Sequence, residues 1–218
     1  MRLTMDACIL GAFAHSSNPS SICDIGCGTG ILSLMMAQKY NGATIDAIEI
    51  DTPSSQQAGI NVKNSPWAER IKVFNLDIHL FQKKYPKKYD LIICNPPYYK
   101  NQLPTLNSRI NLARHGTQLT VEQLFSLSKK LLRNSGILYF ILPIRYFEEI
   151  DKVAISHGLY INDLLLIRNT KVTEAKRFIA GVSLNCDNIT HSTLSIKTSQ
   201  GEYTEQFKSL LKDFYRAF

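Results

Sequence analysis

The twenty residues from Ser21 to Tyr40, SICDIGCGTGILSLMMAQKY, restrict the chain more than any other stretch. A short apolar run ends in three glycines at every second position, and a helical run with Leu32, Met35 and Met36 on one side follows. A strand that turns this tightly into a helix is the opening of a β-α-β unit, and further units follow. Ala43 to Ile50, Ile71 to Leu76, Tyr89 to Cys94 and Ile137 to Leu142 read as buried strands; Ser54 to Asn64, Val121 to Leu132 and Tyr146 to His157 read as helices. Leu159 to Arg168 and Phe178 to Leu184 then come without a clear helix between them, which predicts an antiparallel hairpin. A C-terminal helix is predicted over Tyr203 to Phe218, after a short strand at Leu194 to Lys197. The fold class is therefore α/β, with a mostly parallel sheet and an antiparallel end. The expected organisation is a single domain over residues 1–218, with a helical lead-in at 1–18 and a C-terminal extension at 187–218.

The glycine turn points to a cofactor. Gly26, Gly28 and Gly30 let the backbone approach a ligand without Cβ clashes. Their spacing is G-x-G-x-G rather than the G-x-G-x-x-G of dinucleotide sites, which argues against NAD and FAD. Asp24 at the end of the strand would repel a pyrophosphate and attract a cationic amino-acid end. Glu49 closes the next strand, where an acid accepts bonds from ribose hydroxyls, and Ile50 follows it. Asn75 or Asp77 after the third strand is placed to hold an adenine amino group. A nucleoside carrying a positively charged amino acid is S-adenosylmethionine, released as S-adenosylhomocysteine once its methyl group is transferred. No metal is expected.

The fourth strand ends in CNPPYYK, Cys94 to Lys100. An exocyclic amine on an aromatic ring is a poor nucleophile, because its lone pair is delocalised. Acceptors on both its hydrogens favour a pyramidal nitrogen. The Asn95 side-chain oxygen is one acceptor and the Pro96 carbonyl a second. Pro96 and Pro97 offer no competing N–H and fix the direction of the preceding carbonyls. Tyr98 offers a ring to stack on the base. Positioning and electrostatics of this kind supply rate without a general base. The motif selects a planar nitrogen without saying whether it belongs to adenine, guanine, cytosine or a protein glutamine.

DIGCGTG at Asp24 to Gly30, with Thr29 inside it, EID, NLD and NPPY in this order resemble the seven-stranded, Rossmann-like methyltransferases that use S-adenosylmethionine. LTMDACILGAFA at Leu3 to Ala14, NPPYYK, ARH at Ala113 to His115 and EAKRFIAGVSL at Glu174 to Leu184 resemble the bacterial tRNA(Val) adenine-N6 methyltransferases over nearly the whole chain. The resemblance implies methyl transfer to the adenine just 3′ of the anticodon, and places Thr4 and Asp6 near the methionine end of the cofactor. Protein-glutamine methyltransferases with N-P-P-Y carry a helical domain before the cofactor turn; few residues precede Asp24 here. The family usually has a short aromatic and basic segment before the position of Arg2, whereas this chain begins at Met1, directly in the first helix. The rival enzyme is an rRNA guanine-N2 methyltransferase, and the rival of another class is an RNA-binding module on the same fold.

The net charge of +7 and pI near 9.1 fit a polyanionic partner. Candidate RNA contacts are Lys100, Arg109 and Arg114 in the long connection after the catalytic turn, and Lys176 and Arg177 in a late one; Lys171 and the run Lys83, Lys84, Lys87 and Lys88 are weighed beside them. The five cysteines form no C-x-x-C and read as reduced thiols, which with the missing signal peptide and membrane span implies a cytoplasmic monomer.

Overall fold

The computed structural model describes residues 4–96, 119–186 and 188–215. One eight-stranded sheet forms its centre. Its strands are β1 (Ser21–Ile25), β2 (Thr44–Glu49), β3 (Ile71–Asn75), β4 (Tyr89–Cys94), β5 (Leu132–Pro143), β6 (Tyr160–Arg168), β7 (Ala175–Ser183) and β8 (Thr190–Ser195). They lie in the order β3-β2-β1-β4-β5-β7-β6-β8. β3 to β5 across this order are parallel, β7 is antiparallel to both neighbours, and β8 returns parallel to β6. The sequence predicts seven strands; the eighth is a polar edge strand, starting four residues before the expected short strand at Leu194.

The helices are α1 (Met5–Phe13), α2 (Ile31–Lys39), α3 (Thr52–Lys63), α4 (Ile78–Lys84), α5 (Val121–Leu131), α6 (Phe147–Ser156) and α7 (Glu205–Leu211). Each face of the sheet has its own core. On one side α1, α2, α3 and α7 cover Ile22, Ile45, Leu91, Ile93, Tyr139 and Ile179. On the other, α4, α5 and α6 cover Cys23, Ile25, Ile92, Cys94, Phe140 and Phe178. Alternation along each strand sends successive residues to opposite cores, so the central strands are buried on both faces and mostly apolar. β4 is buried at every position but Asp90. That residue accepts bonds from Ser20, Ser21 and Arg133 where the strand begins.

α4 is absent from the sequence reading. It has only seven residues, and Ile78 and Phe81 alone are buried, too short a pattern for periodicity to register. The lysine run becomes structural: Lys83 and Lys84 close α4, the Lys87 ammonium donates to Asp46 at 2.7 Å, and the Lys88 ammonium to the Leu132 carbonyl. These contacts sit where β4 begins, at the end of the sheet away from the β1 glycine turn.

Strand order reverses between β1 and β4, since β2 and β3 build outward on one side and β5 on the other. Loops leaving adjacent strands in opposite directions open a crevice at their carboxyl ends.

Candidate active site

The crevice is a cleft of about 300 Å³, lined by Gly26, Gly28, Glu49, Ile50, Asp77, Asn95 and Pro96 together with apolar side chains of the core under α4, α5 and α6. Its floor is the glycine turn. The Gly26 and Cys27 N–H groups donate to the Ile48 carbonyl, tying the turn to the end of β2. Gly28 takes φ of 57°, and its N–H donates to Glu49 Oε2 at 2.8 Å. Gly30, at φ of 86°, starts α2 without any side-chain cap. An added Cβ there would stand 3.4 Å from that of Ala58, so the third glycine lets α3 pack beside the turn. Thr29 and Gly30 do not line the cleft; the Thr29 carbonyl accepts from Asn61.

Asp24 lies beneath the turn at 0% exposure. Ser33 Oγ donates to its Oδ2 at 2.6 Å, and Oδ1 is buried with no hydrogen-bond partner. Burial pushes this carboxyl up from 3.8 to about 7; the Ser33 bonds pull it back, and the Glu49 charge raises it further. An orphaned carboxylate oxygen in a polypeptide interior is costly unless a donor reaches it. A ligand ammonium is such a donor, so the turn fits the cofactor expected from sequence.

Glu49 is nine-tenths buried, and its other oxygen accepts from the Asp51 N–H at 2.9 Å. Its carboxylate is thereby held facing the glycine turn. Asn75 does not line the cleft. Its amide donates to the Glu49 and Ile50 carbonyls and accepts from Thr52 Oγ1, which uses the group to brace the β2 loop. Asp77 caps α4 through Oδ1, which accepts from the His79 and Leu80 N–H groups, and lines the cleft.

Asn95 and Pro96 follow β4 and line the same cleft, half-buried. Pro97, Tyr98, Lys100, Arg109 and Arg114 lie outside the described residues. Thr4 and Asp6 do not line the cleft. Thr4 caps α1 by accepting from the Ala7 N–H at 3.3 Å, and Asp6 forms an ion pair with Arg177. Arg177 is therefore not the free cation that an RNA phosphate contact would want, while Lys176 beside it is exposed. Burial raises the Asp6 carboxyl above its ordinary value, and the Arg177 charge opposes that.

Ser54, His79, Leu119 and Gln123 also line the cleft and escaped the sequence reading. A signal for Gln123 existed. Thr120 and Gln123 form a capping box, with Thr120 Oγ1 accepting from the Gln123 N–H and Gln123 Oε1 from the Thr120 N–H. The T-x-x-Q spacing just before an apolar run announces that box. Among the described residues, no three His, Cys, Asp or Glu side chains converge as a metal site would need, and no helix is long and apolar enough to cross a membrane.

Residues 8–145 match the family described as methyltransferase small domain. The tRNA1(Val) (adenine(37)-N6)-methyltransferase of Flavobacterium psychrophilum is 35% identical over 99% of this chain and 92% of that protein. The enzyme of the same description from Photorhabdus laumondii is 34% identical over 99% of this chain and 88% of its own. Among solved structures, an Agrobacterium tumefaciens protein described as a predicted O-methyltransferase superposes with a TM-score of 0.73 at 19% identity, covering 96% of each chain. A ribosomal protein L11 methylase of Lactobacillus delbrueckii superposes with a TM-score of 0.55 at 18% identity, over 81% of this chain and 76% of that one.

Proposed function

Because this chain belongs to the methyltransferase small domain family, and to the relatives described as tRNA1(Val) (adenine(37)-N6)-methyltransferases, we propose that it methylates the exocyclic N6 of adenine 37 in tRNA(Val). The observation that carries the proposal is one cleft joining three features: the glycine turn, the Glu49 carboxylate and the Asn95–Pro96 turn. The orphaned oxygen of Asp24, two residues before Gly26, is buried and outside the cleft lining.

Bound S-adenosylmethionine supplies a methyl group on a sulfonium, activated for in-line attack. Asp24 Oδ1 would accept from the ammonium of its methionine end, and the uncapped first turn of α2 would offer N–H groups to the carboxylate. Glu49 would accept from the ribose hydroxyls with lone pairs not used by Gly28 and Asp51. Ile50, 42% exposed, would offer an apolar surface to the adenine, and the Asp77 oxygen not engaged in capping would accept from its amino group.

On the substrate side, the Asn95 side-chain oxygen and the Pro96 carbonyl accept the two hydrogens of N6. That holds the nitrogen pyramidal and points its lone pair at the methyl group. Pro97 withholds a competing donor and Tyr98 stacks on the base, both assigned from sequence. Water takes the proton from the methylated nitrogen, so no general base is required. The enzyme works as a cytoplasmic monomer on tRNA.

The test is methylation of a tRNA(Val) transcript, with modified nucleosides mapped by mass spectrometry. N6-methyladenosine is expected at position 37 and lost when that adenine becomes guanine. Asn95→Ala should leave cofactor binding intact and lower turnover by about 10²-fold or more. Asn95→Asp keeps an acceptor oxygen and should retain more activity than Ala. Methylation at another base, or an Asn95→Ala enzyme of undiminished rate, would refute the reading.

A further inference from the structure

We infer that Arg145, whose guanidinium lies over the ring of Tyr146, is a stacking platform for a nucleobase adjoining the one that is methylated. The inference rests on the RNA reading above and names a surface which that reading does not use.

β5 pairs directly with β4, and Cys94 lies opposite Phe140. β5 runs three residues past that register to Pro143, so the chain leaves it beyond the level of Asn95 and Pro96, on the strand next to theirs. It makes a short 3-10 turn over Ile144–Tyr146 at the carboxyl rim of the sheet. The Arg145 guanidinium carbon stands 4.6 Å from the centroid of the Tyr146 ring, and Arg145 Nη2 donates to Tyr146 Oη at 2.9 Å. Two contacts to one ring hold the guanidinium against Tyr146.

The pair is asymmetric. Tyr146 is half-buried and packs against the core beneath α5 and α6, so its ring is braced from within. Arg145 is exposed, and no carboxylate among the described residues pairs with it. Glu148 and Glu149 follow in the first turn of α6 and leave it unpaired. Unstacked RNA bases are held on arginine planes as well as on aromatic rings. Extruding the target adenine leaves its neighbour without a stacking partner, and Arg145 offers one on the turn after β5, at the same edge of the sheet as the cleft. Further along the rim, β7 carries Lys176 and the turn between β6 and β7 carries Lys171, both exposed and suited to the flanking phosphates.

The experiment measures binding of an anticodon stem-loop RNA of tRNA(Val) to the full chain by fluorescence anisotropy, across salt concentration. Arg145→Ala should weaken binding roughly tenfold, the loss typical of one stacked base. Arg145→Lys keeps the charge and loses the plane, so it should weaken binding nearly as much while keeping the parental salt dependence. Cofactor affinity and melting temperature should not move in either variant. In RNAs made abasic at single positions beside the target, one position should weaken the parent and leave Arg145→Ala unaffected. Parental affinity in Arg145→Lys, or no such coupled position, overturns the platform. A parent that neither binds nor methylates the RNA sinks the functional reading and the platform together. A parent that methylates it with Arg145 variants unimpaired sinks the platform alone.

Discussion

Asp24 makes cofactor binding depend on pH in a direction that its burial dictates. Its carboxyl is pushed up to about 7, chiefly by desolvation. The ammonium of a bound cofactor needs the ionised form. One unit below that value about one site in eleven is ionised, so affinity at about pH 6 should be roughly tenfold weaker than at about pH 8, a difference of about 1.4 kcal/mol. Stability runs the other way. The folded pKa lies above the ordinary 3.8, so between about 4 and about 7 the native state holds more protons than the unfolded chain. The contribution of this group is fully present below about 4 and is lost as pH rises through about 7. The free protein should therefore lose stability over the interval in which it gains cofactor affinity. Titration calorimetry in two buffers of different protonation heat measures both affinity and proton release. Nearly one proton should leave per cofactor bound at about pH 6, and almost none at about pH 8. Asp24→Asn should bind weakly with no pH slope in this range. Equal parental affinity at both pH values, or an Asn variant that keeps the slope, would refute the assignment of Asp24 Oδ1 to the ammonium.

Three further expectations concern single side chains. Glu49→Ala removes a charged acceptor worth about 1.5–3 kcal/mol and should weaken cofactor binding roughly ten- to a hundredfold by calorimetry; Glu49→Gln, which keeps one acceptor oxygen, should fall between Ala and the parent. Gly181→Ala puts a Cβ 2.8 Å from the Tyr139 ring, so thermal or urea melting should show a loss of about 1–3 kcal/mol from overpacking. Asp6→Ala strands Arg177, whose Nε is already buried without an acceptor, and should cost about 2–3 kcal/mol in urea titration while cofactor affinity stays within twofold.

The parallel half of the fold was readable because both-face burial writes itself as continuous apolar runs. YDLIIC falls on its strand and is buried at every position but Asp90; IKVFN, an edge strand with only Ile71 buried, is placed within a residue by its β-branched and aromatic side chains. The parts that escaped lack that signature. β8 reads THSTLS and is buried only at Leu194 and Ser195, since an edge strand needs little apolar surface. α4 is announced by its cap, Asp77, and not by its face. The C-terminal helix ends at Leu211 among the described residues, short of the predicted span, because Phe207 and Leu211 are all that it buries.

The cofactor side of the site was legible for a local reason. A turn with three residues at positive φ demands glycine at those positions, and the acids at the ends of β1 and β2 are close to it in sequence. The RNA side has no such local signature, because a basic residue meets phosphate only if its charge is not already spent inside the protein. Sequence counts charges and cannot see that spending. Arg177 and Asp6 are 171 residues apart and consume each other. Arg70 is turned inward on the Ala37, Tyr40 and Ala43 carbonyls; Lys87 is held by Asp46 and Arg133 by Asp90. Each of these cations adds to the net charge of +7 and hence to long-range attraction of a polyanion. Among the described residues, Arg145, Lys171 and Lys176 are exposed and in no ion pair. Of the three, Arg145 alone carries a planar group, so the proposed base stacking falls to it and the proposed phosphate contacts to the two lysines.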